Sequence, residues 1–347
     1  MTQAIVVEGL RKKFGHREVL HGLEFAVEAG TVFGVIGPNG AGKTTTMRCL
    51  LDIIRPSAGS ISVLGQNPRS AGTSLRRRIG YLPGELHLEN RTTGRRTLEH
   101  FAAISGPVDP HHVNDLADRL NLDLDRQTRK LSKGNKQKLG LLQAFMHQPE
   151  LLVLDEPTSG LDPLVQQVFH AMVREAVAAG ATVFLSSHVL SEVQQAADAL
   201  AILRDGEIVT VSTVEALRMA AVRQLRFNST GAEANDVGAL LARVPGVANV
   251  AVRELPADGH AAGTVVATAT LSGHVQPLVQ ELARLNLTDL VLEEPDLEEA
   301  VLTLYTGGAG TEPAADTGAA DTGAAGSAGS ADNATASPRR TEGAHRA

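Results

Sequence analysis

The chain has 347 residues, 43% of them hydrophobic, and a net charge of -7. That apolar content excludes a wholly disordered chain, and the length suffices for one large domain plus a smaller one. The acidic balance, without aromatic–basic interleaving, excludes an evident nucleic-acid surface, and the single cysteine, Cys49, excludes an internal disulfide or a multi-cysteine metal site.

The first residues, MTQAIVVEGLRKKFG, lack the charged-then-apolar pattern of a signal peptide. No apolar run approaches the ~18–20 residues needed to span a bilayer. A protein soluble by itself and cytosolic is therefore expected, with any membrane role exercised through a partner. Aromatics make up only 3% of the chain, so the core must rest on Leu, Val, Ile and Ala, with Cys49 as a small buried hydrophobe.

Apolar runs alternate with helical patterns from the start to about residue 210. TVFGVIG (31–37) is a short run ending in glycine, KTTTMRCLLDII (43–54) has helical spacing, and SISVLG (60–65) reads as a strand. LLVLD (151–155), ATVFLSSH (181–188) and ALAILRDG (199–206) are further runs with the length of buried parallel strands. Helices are expected at 139–147 and 163–179, and residues 90–145 read as a helical insert without strands. The alternation predicts an α/β sheet covered on both faces.

After residue 215 the order becomes β-α-β-β-α-β: QLRFNS, a helix near 235–243, VANVAVREL, GTVVATATL, a helix at 274–285 and LTDLVLEE. That order suits a small α+β, ferredoxin-like accessory domain, closed by a short helix at DLEEAVLTLY. From Gly307 the chain is Gly, Ala, Thr, Ser and Asp, a composition that predicts a disordered tail. The expected division is 1–215, 216–306 and 307–347.

The chemistry starts at GPNGAGKT, Gly37 to Thr44, which fits G-x-x-x-x-G-K-[ST] between a strand and a helix. Its glycines let backbone N–H groups curl around phosphate oxygens. Lys43 can reach the outer phosphates, and the Thr44 hydroxyl can ligate Mg²⁺. The nucleotide-binding stretch is thus Gly37, Pro38, Asn39, Gly40, Ala41, Gly42, Lys43, Thr44 and Thr45. LLVLDE (151–156) places Asp155 at a strand end, where ligands of parallel sheets gather. Asp155 can hold the Mg²⁺ shell, and Glu156 can accept a proton from an attacking water. By itself such an acid pair reads as a helix cap; the phosphate loop turns it into a site. His188 ends another strand-like run and can stabilise charge developing on a γ-phosphate.

These motifs resemble a known family. From residue 4 to about 210 the chain is similar to the ATP-binding subunit of an ATP-binding-cassette (ABC) transporter. GPNGAGKT resembles its Walker A, LLVLDE its Walker B, SGLD (159–162, ending at Asp162) its D-loop, and His188 its switch histidine. LSKGNKQKL (131–139) resembles the signature loop that separates this family from other P-loop NTPases, and Phe14 matches the aromatic that stacks on adenine. Two departures stand out. The signature has Lys133 in place of a glycine and Asn135 in place of a glutamine, while Ser132 and Gly134 are retained. In IGYLPGELHL, which resembles the Q-loop region, Gly84 stands where a glutamine is usual and Glu85 follows.

The resemblance implies a head-to-tail pair of ATP-binding subunits, each ATP lying between one subunit's Walker A and the other's signature. Ser132 and the helix start behind it offer donors to an anion. One copy of each motif implies a homodimer or a pair with a related subunit. It further implies ATP and Mg²⁺ as ligands, an integral membrane permease as partner, and a place on the inner face of the cell membrane. The similarity is to ABC-2-type and drug-resistance-type exporters. Arg91, Arg95 and Arg96 lie in the segment that would face the permease. A soluble ABC ATPase of translation or DNA repair would carry two cassettes or a long coiled-coil insert, and a non-hydrolysing regulator would be expected to lack Glu156 or His188.

Overall fold

The computed structural model describes residues 2–88, 91–220, 223–255 and 264–293. The N-terminal strands β1 (Gln3–Phe14) and β2 (Arg17–Glu28) form an antiparallel hairpin. Then come β3 (Val32–Ile36), α1 (Lys43–Leu50) and β4 (Ala58–Val63). The strand expected at 60–65 is thus present, but it does not join the parallel sheet. It pairs antiparallel with β1, giving a three-stranded sheet of order β2-β1-β4. A short apolar run specifies a strand and not its direction.

The central sheet takes β5 (Ile79–Leu82), β6 (Leu151–Asp155), β7 (Thr182–Ser187), β8 (Ala199–Arg204) and β9 (Glu207–Thr213) in the order β5-β6-β7-β3-β8-β9. All neighbours pair in parallel except β8 with β9. Every residue of β3, β6 and β7 is buried, as strands covered on both faces require. Alternate side chains feed two cores. Leu152, Leu154, Val183 and Leu185 face one, and Leu151, Val153 and Phe184 the other. In the second core Phe25, Phe33 and Phe184 stack with centroids 5.8–5.9 Å apart, joining the two sheets. Three of only eight phenylalanines meet here, each worth roughly 1.5–3 kcal/mol on burial. Cys49 lies in this core, and burial pushes its thiol pKa up to about 11.

Beyond α2 (Pro68–Arg76), the helical segment holds α3 (Gly94–Ser105), α4 (Pro110–Arg119), a 3-10 turn at Thr128–Lys130 and α5 (Lys133–Phe145). Among the described residues of 91–145 there is no strand, as expected. Asp109-Pro110 opens α4, and Asp162-Pro163 opens α6 (Pro163–Ala178), each with the carboxylate accepting a backbone N–H of its first turn. The helix expected at 139–147 begins at Lys133, because Ser132 caps it.

α7 (Leu190–Ala196) and α8 (Val214–Ala220) flank β8 and β9. Thereafter β10 (Arg223–Thr230), α9 (Ala234–Leu241), β11 (Val247–Glu254), β12 (Thr264–Leu271), α10 (Gln276–Leu282) and β13 (Asn286–Glu293) form an antiparallel sheet of order β11-β12-β10-β13. Its core includes Leu225, Phe227, Val265, Ala267, Leu278 and Leu282. The helix expected at DLEEAVLTLY and the tail from Gly307 lie outside the described residues. Among the described residues, no helix is long and apolar enough to cross a membrane.

Candidate nucleotide site

The parallel register brings three strand ends together. β6, β7 and β3 are neighbours, with Asp155 opposite Ser186 and Ser187 opposite Ile36. Gly37, Glu156 and His188 therefore leave the sheet side by side, on strands spaced ~4.8 Å apart.

Gly37 accepts no side chain: a Cβ there would stand 2.2 Å from the Leu203 carbonyl oxygen. Pro38, Asn39 and Gly40 arch out exposed, and Ala41 and Gly42 return into the core. Gly42 has φ +112, a conformation that L side chains avoid. The loop is pinned by Ala41 N–H to the Pro38 carbonyl (3.2 Å) and by Gly206 N–H to the Ala41 carbonyl (3.0 Å). Lys43 is 7% exposed; its ammonium donates to the Gly37 carbonyl at 2.6 Å and stands 3.3 Å from Glu156 Oε1. Thr44 Oγ1 donates to Asp155 Oδ2 at 2.7 Å, and Thr45 follows in the first turn of α1.

Asp155 is fully buried, so its carboxylate depends on donors. Ser186 supplies the second, donating to Oδ1 at 2.6 Å while accepting from Glu156 N–H at 3.1 Å. Glu156 holds φ +50, at a cost of about 1–2 kcal/mol for an L residue. Gln137 of α5 fixes that bend by donating to the carbonyls of Glu156 and Pro157, both at 3.0 Å. The Glu156 carboxylate reaches both Lys43 and His188, whose Nδ1 lies 2.7 Å from Oε2. Tyr81, on β5, has its pKa raised by burial and by the Asp155 charge, partly offset by Arg48.

Five of the residues read from the sequence as chemical thus make contacts here, Thr44 with Asp155 and Glu156 with both Lys43 and His188. The others lie elsewhere. Ser132 Oγ accepts from Asn135 N–H at 3.2 Å, and Asp162 caps α6. Gly134 packs on the D-loop, where a Cβ would come within 2.7 Å of the Gly160 carbonyl oxygen. Lys133 also runs towards Gly160. Phe14 is half exposed, with the Lys12 ammonium 4.8 Å from its ring centroid. Among the described residues, no hydrogen bond or ion pair joins Ser132, Gly134, Asp162 or Phe14 to Gly37–Thr45.

Gly84 lies directly against Asp155: a Cβ there would sit 3.0 Å from Oδ2. Glu85 is exposed and, among the described residues, makes no hydrogen bond or ion pair with the site. Sequence reading missed Ser186, Gln137, Thr158, Ser187 and Glu192. The serines were visible as SSH at a strand end, but their partners are 31 residues away in the case of Ser186 and Asp155.

The cradle fits an anionic nucleotide, since the loop leads into the N-terminus of α1 with the Lys43 ammonium beside it. Thr44 and Asp155 form a hard-oxygen pair suited to Mg²⁺, which is commonly held by one or two carboxylates plus substrate phosphates. Among the described residues there is no group of three His, Cys, Asp or Glu side chains to hold a metal unaided.

A family model described as ABC transporter matches residues 20–159. A daunorubicin resistance ATP-binding protein of Streptomyces coeruleorubidus is 35% identical over 314 residues, covering 87% of this chain and 95% of the relative. A bacitracin transport ATP-binding protein of Bacillus licheniformis is 34% identical over 65% of this chain and 75% of its own length. Among solved structures, an ATP-binding subunit of an ABC transporter superposes with a TM-score of 0.58 at 29% identity, covering 62% of this chain and 92% of its own.

Proposed function

The chain belongs to the ABC transporter family of ATP-binding proteins, and from that membership we propose that it binds ATP with Mg²⁺, hydrolyses it and energises a separate membrane permease of an exporter. The observation that carries the proposal is the convergence of two contacts, Thr44 with Asp155 and Glu156 with both Lys43 and His188, where α1 meets the ends of three adjacent strands. The relatives named for drug resistance and bacitracin transport support the exporter class.

Each side chain has a task its position suits. Walker A N–H groups and the Lys43 ammonium bind the phosphates. Thr44 and Asp155 would hold Mg²⁺, which would supply positive charge against that developing on the phosphate oxygens. Glu156 takes the proton of the attacking water. His188, bonded to Glu156, orients that carboxylate and donates towards the γ-phosphate. Phe14 offers its exposed ring face to adenine.

Ser132 and Gly134 serve the ATP of a second subunit, together with Asp162 of the D-loop. The packing of Gly134 and Lys133 against Gly160 of their own chain supports one rigid surface presented across a dimer. ATP binding closes that dimer and hydrolysis reopens it. We assign residues 1–215 to the ATP-binding domain and 216–306 to a ferredoxin-like accessory domain, supported by the order β11-β12-β10-β13. The site of action is the cytoplasmic face of the membrane, through the permease.

Mixing two inactive variants tests the shared-site arrangement. Lys43→Ala disables a chain's own Walker A, and Ser132→Arg blocks the loop it lends. In a mixed dimer one site carries both lesions and the other neither. Random pairing restores roughly a quarter of all sites, so hydrolysis should reappear on mixing. Mixed ATP-dependent dimers that stay inactive would contradict the arrangement.

A further inference from the structure

We propose that Glu192 is a positioning residue for hydrolysis, bracing the chain behind Glu156 to the chain in front of His188. The inference deepens the hydrolytic reading of the site and rests on it. Glu192 lies in the first turn of α7, and its Oε2 accepts two hydroxyls: Thr158 Oγ1 at 2.6 Å and Ser187 Oγ at 2.8 Å. Thr158 is two residues beyond Glu156, and Ser187 immediately precedes His188. Both are almost wholly buried. Ser187 Oγ also accepts from Val189 N–H at 3.0 Å, which fixes the backbone on the far side of His188. One carboxylate oxygen therefore holds, from behind, the two segments whose side chains meet in front at 2.7 Å.

The brace matters most on the His188 side. Glu156, on a left-handed bend, is also held by Gln137, Ser186 and Lys43, whereas the His188 ring is half exposed and, among the described residues, has Glu156 as its side-chain partner. A displacement of about 1 Å at such a pair is enough to impair catalysis. Glu192 is itself held rigidly. Leu190 and Val193 of α7 are buried, and Gly34 of β3 lets Val193 approach so closely that a Cβ at Gly34 would lie within 2.2 Å of Val193 Cγ1. The height of α7 over the sheet, and so the reach of Glu192, is set by that contact. Since Oε2 alone accepts both hydroxyls, an amide oxygen can replace it; a methyl group cannot.

The test uses the full-length chain with Glu192→Ala, Glu192→Gln and Thr158→Val. ATP turnover, equilibrium ATP binding and amide hydrogen exchange are measured on each. Glu192→Ala should lower kcat about tenfold or more, within the roughly 10²–10⁴-fold that acid–base groups supply, while the Kd for ATP stays within about twofold. It should speed exchange at 157–161 and 187–190 together. Glu192→Gln should keep kcat within about threefold of the parent, because the acceptor survives. Thr158→Val, a near-isosteric change, should speed exchange at 187–190, on the opposite side of the brace. Unchanged exchange at either segment in Glu192→Ala overturns the proposal, as does a Glu192→Gln rate as low as that of Glu192→Ala. If the parent chain itself fails to turn over ATP, the hydrolytic reading falls, whereas the exchange comparison still decides the brace.

Discussion

Ser186→Ala removes a single oxygen from the centre of the site, and its consequences follow from two hydrogen bonds. The hydroxyl is completely buried, donates to the buried Asp155 carboxylate at 2.6 Å and accepts from Glu156 N–H at 3.1 Å. A bond to a charged group contributes about 1.5–3 kcal/mol, and a buried donor left unpaired costs about 1–3 kcal/mol. Together the loss is about 2.5–6 kcal/mol. For a domain of this size each kcal/mol lowers the melting temperature by roughly 2–4 °C, so a fall of roughly 5–24 °C is expected in a thermal melt. Ser60→Ala is the matched control: Ser60 donates to Glu8 at 2.8 Å, but on an exposed surface. Its effect should stay within about 0.5 kcal/mol. If Ser186→Ala melted within about 2 °C of the parent, the claim that Asp155 depends on this donor would be wrong.

Gly34→Ala should destabilise the chain by about 1–3 kcal/mol through overpacking, because the new Cβ would lie 2.2 Å from Val193 Cγ1. Adding Val193→Ala should recover part of that loss, a coupling readable by double-mutant denaturation; strictly additive effects would refute the contact. Acid should weaken the fold through two histidines. Burial pushes the pKa of His147 below the usual imidazole value, partly offset by the Ile79 carbonyl. Burial and Arg174 do the same for His170, partly offset by Glu192. Unfolding lets both bind protons, so stability present above about pH 6.5 is lost as pH falls below it. Melting curves from pH 8 to 5.5 should show this, with a shallower decline in His147→Gln/His170→Leu; an identical slope would exclude these two groups.

The phosphate loop was legible because its chemistry needs contiguous residues: glycines for backbone approach, then Lys43 and Thr44 at a helix start. Asp155, Glu156 and His188 could be read because each ends an apolar run. Other features depend on register and direction, which a linear pattern does not carry. β1 and β2 contain polar stretches such as RKKFGHRE and several register shifts, which blur their alternation. β4 looked like any buried strand until its antiparallel partner β1 was present. The start of α5 was hidden because KGNKQK is polar, although Gln137 and Lys138 within it are buried. Ser186 depends on Asp155, 31 residues away, and Glu192 joins Ser187 to Thr158, 34 residues from it, contacts made only by the pairing of β6 with β7 and by α7 packing on β3.

If Glu156 is the base of an ATP-hydrolysing site, Glu156→Gln should separate binding from turnover. The amide preserves size and can still accept from His188, but it cannot take a proton. Steady-state hydrolysis and equilibrium ATP binding should be measured on the same full-length protein with Mg²⁺. Turnover should fall by about 10²–10⁴-fold while the Kd for ATP changes little, and an ATP-bound dimer should accumulate on size-exclusion chromatography. Hydrolysis within a few-fold of the parent would mean that Glu156 is not the base.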